Sequence, residues 1–134
     1  MADKETGTAD RASGQDPQSS ADKVLGEALE PGEQVEIFAS ALKREALHLF
    51  EKCKVALTDR RLIVLKPAWP WGYKVDRADP RAGCAVLKSK QKIDGSHLVI
   101  INGPDGVVGL YFSRAWRDQA AALLAALPAA TETG

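Results

Sequence analysis

The sequence predicts a mainly β, α+β domain, in which about seven antiparallel strands form a bent sheet closed by one C-terminal amphipathic helix. Three observations support this prediction. Apolar runs of strand length recur between residues 35 and 112, turn-forming residues separate them at short intervals, and one helical periodicity follows the last run. Such a sheet has one apolar face to bury, and the helix plugs its open end.

Local patterns place the strands and the turns between them. Strands are predicted at 35–41, 49–58, 62–65, 73–77, 82–88, 98–101 and 107–112, where apolar residues alternate or form short runs. Residues 43–45 are expected to form a turn or loop, and residues 66–72, with two prolines and a glycine, a loop. Asp94-Gly95 is a strong hairpin signal.

A short helix is expected before the first strand and a longer one after the last. Apolar spacing predicts the first helix over 22–29, with Ser20 or Asp22 as its N-cap. Ser113 is the expected N-cap of the final helix, which Pro128 stops. Its apolar stripe consists of Trp116, Ala120, Leu123, Leu124 and Leu127.

Size and composition limit the class of protein. The chain has 134 residues, a 45% hydrophobic share and a formal net charge of zero, which fits one compact domain and argues against a general nucleic-acid binder. The apolar stretches are shorter than the roughly 20 residues that span a bilayer, and no secretory signal is recognisable. We therefore expect a cytoplasmic protein without a transmembrane segment. The expected organisation is a disordered tail over 1–21, a folded domain over 22–128 and a second disordered tail over 129–134.

The sequence contains few cysteine and histidine residues, the types that most often act in catalysis or bind metals. Cys53 and Cys84 are far apart and have no neighbouring ligands, so we expect two buried, reduced thiols. His48 and His97 lack the partners of a catalytic triad or a metal site. The sequence therefore predicts a non-enzymatic protein with no cofactor and no metal. The alternating lysines 88, 90 and 92 fit a solvated edge strand better than a nucleic-acid groove.

Two passages carry a family resemblance. They are Pro31-Gly32-Glu33-Gln34-Val35, before the first strand, and residues 55–64, which read VALTDRRLIV. Together with the strand order and the ending from Asp94-Gly95 to the Trp116 helix, they resemble bacterial PH-like domains of the GRAM and pleckstrin-homology superfamily. The resemblance implies a PH-like antiparallel barrel that acts as a binding module. Eukaryotic PH domains of similar architecture bind phosphoinositides or peptides.

Charge is unevenly distributed along the chain. Residues 43–92 contain 13 basic and 5 acidic residues, whereas residues 22–42 contain one basic and five acidic residues. If the basic side chains share a face, that face attracts an acidic partner or anionic lipid. The alternative is that lysine and arginine only fill the outward positions of strands for solubility.

An aromatic segment lies inside this basic region. Trp69, Trp71 and Tyr73 are flanked by Lys66 and Lys74, a combination that suits a membrane-interface anchor or a protein-binding hot spot. The alternative is that the rings fold back as a lid over one end of the sheet.

These patterns predict a binding module that docks to a protein partner or to an anionic membrane surface. The alternative is a structural domain that self-associates through a strand edge. The candidate ligand-binding residues are Lys43, Arg44, Arg60, Arg61, Lys66, Trp69, Trp71, Tyr73 and Lys74.

Overall fold

The computed structural model describes residues 17–46, 49–68 and 72–130. In these ranges seven strands form one antiparallel sheet in the order β4-β3-β2-β1-β7-β6-β5. The strands are β1 (Val35–Ala46), β2 (Leu49–Thr58), β3 (Arg61–Pro67), β4 (Tyr73–Pro80), β5 (Ala85–Gln91), β6 (His97–Gly103) and β7 (Gly106–Phe112). The helices are α1 (Pro17–Ala28) and α2 (Arg117–Ala126), with short 3-10 turns at Arg81–Gly83 and Arg114–Trp116. The mainly β prediction is confirmed.

The first hairpin departs from the prediction at one point. β2 has the predicted bounds, but the predicted turn at 43–45 is wrong, because β1 continues to Ala46. Lys43 pairs with Glu51 of β2 on one side and with Leu110 of β7 on the other. Two neighbouring strands satisfy its backbone, and this outweighs the turn preference of a polar run.

Both helices also begin differently from the prediction. α1 begins at Pro17 rather than at 22, because Ala21 is fully buried against the sheet and tertiary packing extends the helix. Ser113 makes no side-chain capping bond. Its carbonyl instead accepts a hydrogen bond from the N–H of Trp116 across a 3-10 turn that precedes α2.

The main core lies on the inner face of the sheet and includes residues from both ends of the strand order. It contains Val55 and Val64 from the first half, Val99 and Phe112 from the second, and Leu123 of α2. The sheet therefore bends around one core, and the predicted apolar stripe of the last helix faces it. Both cysteines are buried and form no disulfide, as predicted.

A second, smaller core lies on the outer face of the first half. Ala21 and Leu25 of α1 pack there on Ala56, Ile63 and Leu65. The helix thus covers β2, β3 and β4 from outside. In the part of the chain that the structure describes, no helix is long and apolar enough to cross a membrane.

The chain after α2 adds to the edge of the sheet. Val86 of β5 donates to the carbonyl of Pro128 (2.8 Å) and accepts from the N–H of Ala130 (2.8 Å). These bonds form a short parallel bridge. Residues 129 and 130 therefore pair with β5 beyond the predicted end of the domain at 128.

Candidate binding surface

The turn between β2 and β3 is built around a buried ion pair. Arg61 donates to both carboxylate oxygens of Glu33 (2.6 and 3.0 Å) and to the carbonyl of Ala28 (2.9 Å). Thr58 donates to Glu33 (2.6 Å) and accepts from the backbone N–H groups of Arg60 and Arg61 (3.0 and 2.8 Å). Since the Glu33 side chain is fully buried, this network attaches the chain before β1 to the β2–β3 turn.

The network stabilises the charged form of Glu33. Its pKa falls from an ordinary 4.5 to about 2, chiefly because of the hydrogen bonds from Arg61, with burial acting in the opposite direction. The same contact raises the pKa of Arg61. Arg61 is therefore engaged in a structural contact, although the sequence indicates it as a ligand-binding candidate.

Two further arginines at this end of the sheet also face glutamates. Arg60 lies 3.4 Å from Glu30, and Arg81 lies 2.8 Å from Glu36. The three glutamates Glu30, Glu33 and Glu36, which lie just before and at the start of β1, therefore pair with the arginines of this end and neutralise much of their charge.

The predicted site residues divide between two ends of the sheet. Arg60 and Arg61 lie at the β2–β3 turn, which we call the arginine end. The opposite end, here called the hairpin end, comprises residues 42–46 and 49–54 of the β1–β2 hairpin and the described residues 66–68 and 72–76 around the β3–β4 connection. It contains Lys43, Arg44, Lys66, Tyr73 and Lys74. β2, which runs from one end to the other, has ten residues and spans roughly 30 Å. Trp69 and Trp71 lie outside the described residues.

Part of the positive charge at the hairpin end is engaged internally. Lys43 forms a salt bridge with Asp76, and Lys66 lies 3.7 Å from the same carboxylate. Lys54 donates to the hydroxyl of Ser40 (2.6 Å), and its ammonium lies 5.9 Å from the centre of the Tyr73 ring.

Three other cations of this end are exposed, and two of them, Arg44 and Lys52, lie next to Phe50 on the same face of the sheet. Arg44, Lys52 and Lys74 are exposed, and no described carboxylate lies within salt-bridge distance of them. Leu49 and Phe50 at the start of β2 are 60% and 44% exposed. The hairpin end thus combines positive charge with an apolar tip. Sequence reasoning did not single out Leu49 and Phe50, although Lys52 follows Phe50 by two residues.

A pocket of about 300 Å³ opens beside the hairpin end. Side chains that line it include Ser40, Leu42, Lys52, Lys54, Tyr73 and Tyr111. Cys53 also contributes to its wall, but burial raises the pKa of its thiol to about 12, so it is protonated at neutral pH. Cys53 is therefore not a thiolate nucleophile at neutral pH.

The two histidines do not come together in a site that can be described. His97 lies on β6 opposite Phe112, and His48 is outside the described residues. Within residues 17–46, 49–68 and 72–130, no group of three or more His, Cys, Asp or Glu side chains is arranged to hold a metal ion.

Comparison with protein-family models finds no match to this chain, and comparison with curated protein sequences finds no match either.

Proposed function

We propose that this chain is a non-enzymatic PH-like binding module that docks its hairpin end on an anionic membrane surface. The observation that carries the proposal is the segregation of charge. Glutamates neutralise the arginine end, whereas the hairpin end keeps Arg44 and Lys52 beside the exposed Phe50, with the exposed Lys74 two strands away on β4. Cations attract anionic headgroups, and apolar side chains at the tip enter the interface between headgroups and acyl chains.

The strand arrangement supports the PH-like part of the proposal. Antiparallel strands in the order β4-β3-β2-β1-β7-β6-β5, followed by α2, agree with the resemblance drawn from the sequence. Side chains of edge strand β4 also reach the β6–β7 turn. Arg77 donates to the carbonyl of Gly106 (2.9 Å), and Asp79 accepts from the N–H of Asp105 (3.3 Å). These contacts support a sheet that bends into a barrel.

A cytoplasmic location is part of the same proposal, because anionic lipids concentrate in the cytoplasmic leaflet. Self-association through a strand edge has less support. Val86 of β5 already pairs with the chain after α2, and Lys88 and Lys90 expose charge along the rest of that strand. Edge lysines disfavour pairing with another strand.

Vesicle binding tests the proposal directly. We expect the chain to co-sediment with phosphatidylcholine vesicles only when they contain phosphatidylserine, and to be released by salt. Each cation near an anionic surface contributes about 1 kcal/mol, so Lys52→Gln/Lys74→Gln should weaken binding about 30-fold. Lys23→Gln/Arg60→Gln is the matched control, because it removes the same formal charge from α1 and the arginine end.

Two results would refute membrane docking by the hairpin end. One is equal affinity for vesicles with and without phosphatidylserine. The other is an equal loss of affinity in the control and in the hairpin-end variant, which would reduce the effect to net charge.

A further inference from the structure

The outer face of β5, β6 and β7 is an apolar sheet face that no described helix covers. Strand alternation places Leu42, Phe50, Leu98, Ile100, Val107 and Tyr111 on this face, which also includes adjoining parts of β1 and β2. Helix α1 packs on the outer face of β2 to β4, and α2 packs into the inner core. Val107 is 58% exposed, and Leu98 and Ile100 are partly exposed.

The charged residues at outward strand positions of this face are all basic. Five cations occupy such positions: Arg44, Lys52, Lys54, Lys88 and Lys90. Their neighbours at outward positions are Ser40, Leu42, Phe50, Leu98, Ile100, Asn102, Val107, Gly109 and Tyr111, none of which is acidic. An apolar face with a cationic rim is complementary to an apolar stripe with acidic flanks.

The centre of the face is occupied by a glycine. Gly109 of β7 lies between Ile100 of β6 and Arg44 of β1. A Cβ atom added at Gly109 would lie 3.5 Å from the Cβ and 3.9 Å from the Cδ of Arg44, in ordinary contact. The face is therefore lowest at Gly109, next to the aliphatic part of the Arg44 side chain.

The outer face that α1 covers also has a small residue between larger ones. There the small residue is Ala56 of β2, which pairs with Phe38 of β1 and with Ile63 of β3. Ala21 and Leu25 of α1 are buried in contact with this cluster. A small residue between larger ones is thus the arrangement on which this sheet already packs a helix.

One aromatic side chain on the uncovered face is held in a fixed position. The hydroxyl of Tyr111 donates to Ser96 (2.7 Å), whose hydroxyl donates to Asp94 (2.6 Å). The Tyr111 ring also contacts Phe50, with ring centroids 6.3 Å apart. A side chain that is already ordered loses little entropy on binding, so it suits an anchor position. The pocket of about 300 Å³ lies beside it, between Leu42 and Tyr111.

We propose that the outer face of β5, β6 and β7 docks an amphipathic helix of a protein partner, with acidic side chains on both sides of its apolar stripe. Residues 1–16 do not fit this role, because Met1 is their only large apolar residue. A second copy of the chain does not offer such a helix either, since the apolar faces of α1 and α2 are already buried. The proposal concerns a different partner from membrane docking and does not depend on it. The face shares Arg44, Lys52 and Phe50 with the hairpin end, whereas Lys88, Lys90, Ile100 and Val107 belong to this face alone.

Binding of a designed helical peptide to the full chain tests the proposal. The probe has a leucine and alanine stripe flanked by glutamates, and the matched peptide has lysines in place of the glutamates. We expect the acidic peptide to shift the amide resonances of Lys88, Lys90, Ile100 and Tyr111, and the basic peptide to leave them unchanged. The resonances of Ala56 under α1 should not move.

Two variants test separately the contribution of the rim charges and that of the missing side chain at Gly109. Lys88→Glu/Lys90→Glu should weaken binding of the acidic peptide by about tenfold or more, because it reverses two rim charges. Gly109→Val should abolish binding by adding bulk at the centre of the face, and the space around Gly109 accepts a Cβ without a clash. Arg60→Gln at the arginine end is the control and should bind normally. Circular dichroism and urea unfolding verify that each variant is folded.

Four results with the peptides would overturn the proposal. They are equal binding of both peptides, resonance shifts confined to other surfaces, unchanged affinity in both variants, and no binding at all. If Lys88→Glu/Lys90→Glu instead lowers affinity for phosphatidylserine vesicles, the face contacts lipid and the proposal is wrong. A dimer in light scattering that Gly109→Val dissociates would identify a second copy as the occupant.

Discussion

Replacement of Glu33 by glutamine tests the role of the buried ion pair. The variant keeps the size of the side chain and removes its charge, which leaves Arg61 and Thr58 with a weaker acceptor. Glu33 is fully buried, and the Arg61 side chain is 22% exposed, so solvent screens the pair only slightly. We expect Glu33→Gln to lower the free energy of unfolding at pH 7 by about 3 kcal/mol, the value that the pKa shift of Glu33 implies.

The sign of the pH dependence follows from the lowered pKa. The pKa of Glu33 is about 2 in the folded protein and near 4.5 in the unfolded chain. The unfolded chain therefore binds the proton more readily, and the contribution of Glu33 is complete above about pH 5 and is lost as the pH falls towards 2. The difference between the wild type and Glu33→Gln should shrink to less than half its neutral value by about pH 3.

Urea unfolding at pH 7 and pH 3, followed by circular dichroism, measures both differences. Glu36→Gln is the matched control, because Glu36 is 45% exposed and pairs with Arg81 at 2.8 Å. Exposed pairs contribute about 0–1 kcal/mol, so this variant should unfold almost like the wild type at both pH values. A loss below about 1 kcal/mol in Glu33→Gln, or a loss that does not change with pH, would refute the reasoning.

Three further predictions concern the core and one turn. Leu123→Ala should cost about 2–5 kcal/mol in urea unfolding, because the side chain is 1% exposed in the inner core; a loss below about 1 kcal/mol would contradict this packing. Because burial raises the pKa of Cys53 to about 12, its thiol should react with iodoacetamide at pH 8 only as fast as the protein opens, and rapid labelling of the native chain would contradict it. Gly95→Ala should cost about 1–2 kcal/mol, since Gly95 has a φ of +92° and an added Cβ would lie 3.0 Å from the Cγ of Arg114; an unchanged urea midpoint would show that the turn relaxes.

Much of the sheet follows from local patterns in the sequence. The bounds of β2 and the turn at Asp94-Gly95 are predictable because alternation and turn chemistry act over a few residues. The start of α1 is different. Residues 17–21 carry little helical signal of their own, and burial of Ala21 against the sheet extends the helix to Pro17.

The candidate surface is less predictable, because long-range pairs decide which charges reach solvent. Arg61 and Glu33 are 28 residues apart, and nothing local indicates that they meet. Lys43 and Asp76 are 33 residues apart and also form a pair. Sequence counting shows an excess of basic residues but cannot show which of them a carboxylate neutralises.

The separation of the two ends makes stability and docking independent properties. The glutamates just before and at the start of β1 stabilise the arginine end. The excess positive charge therefore remains at the hairpin end, at the other end of β2. Interactions between solvent-exposed charges are largely screened beyond about 8 Å at physiological salt. A substitution at Glu33 should therefore change the free energy of unfolding without changing vesicle affinity, and a substitution at Lys52 or Lys74 should do the reverse. If Glu33→Gln alters vesicle affinity while the protein remains folded, the ends are coupled and the assignment of docking to the hairpin end alone is wrong.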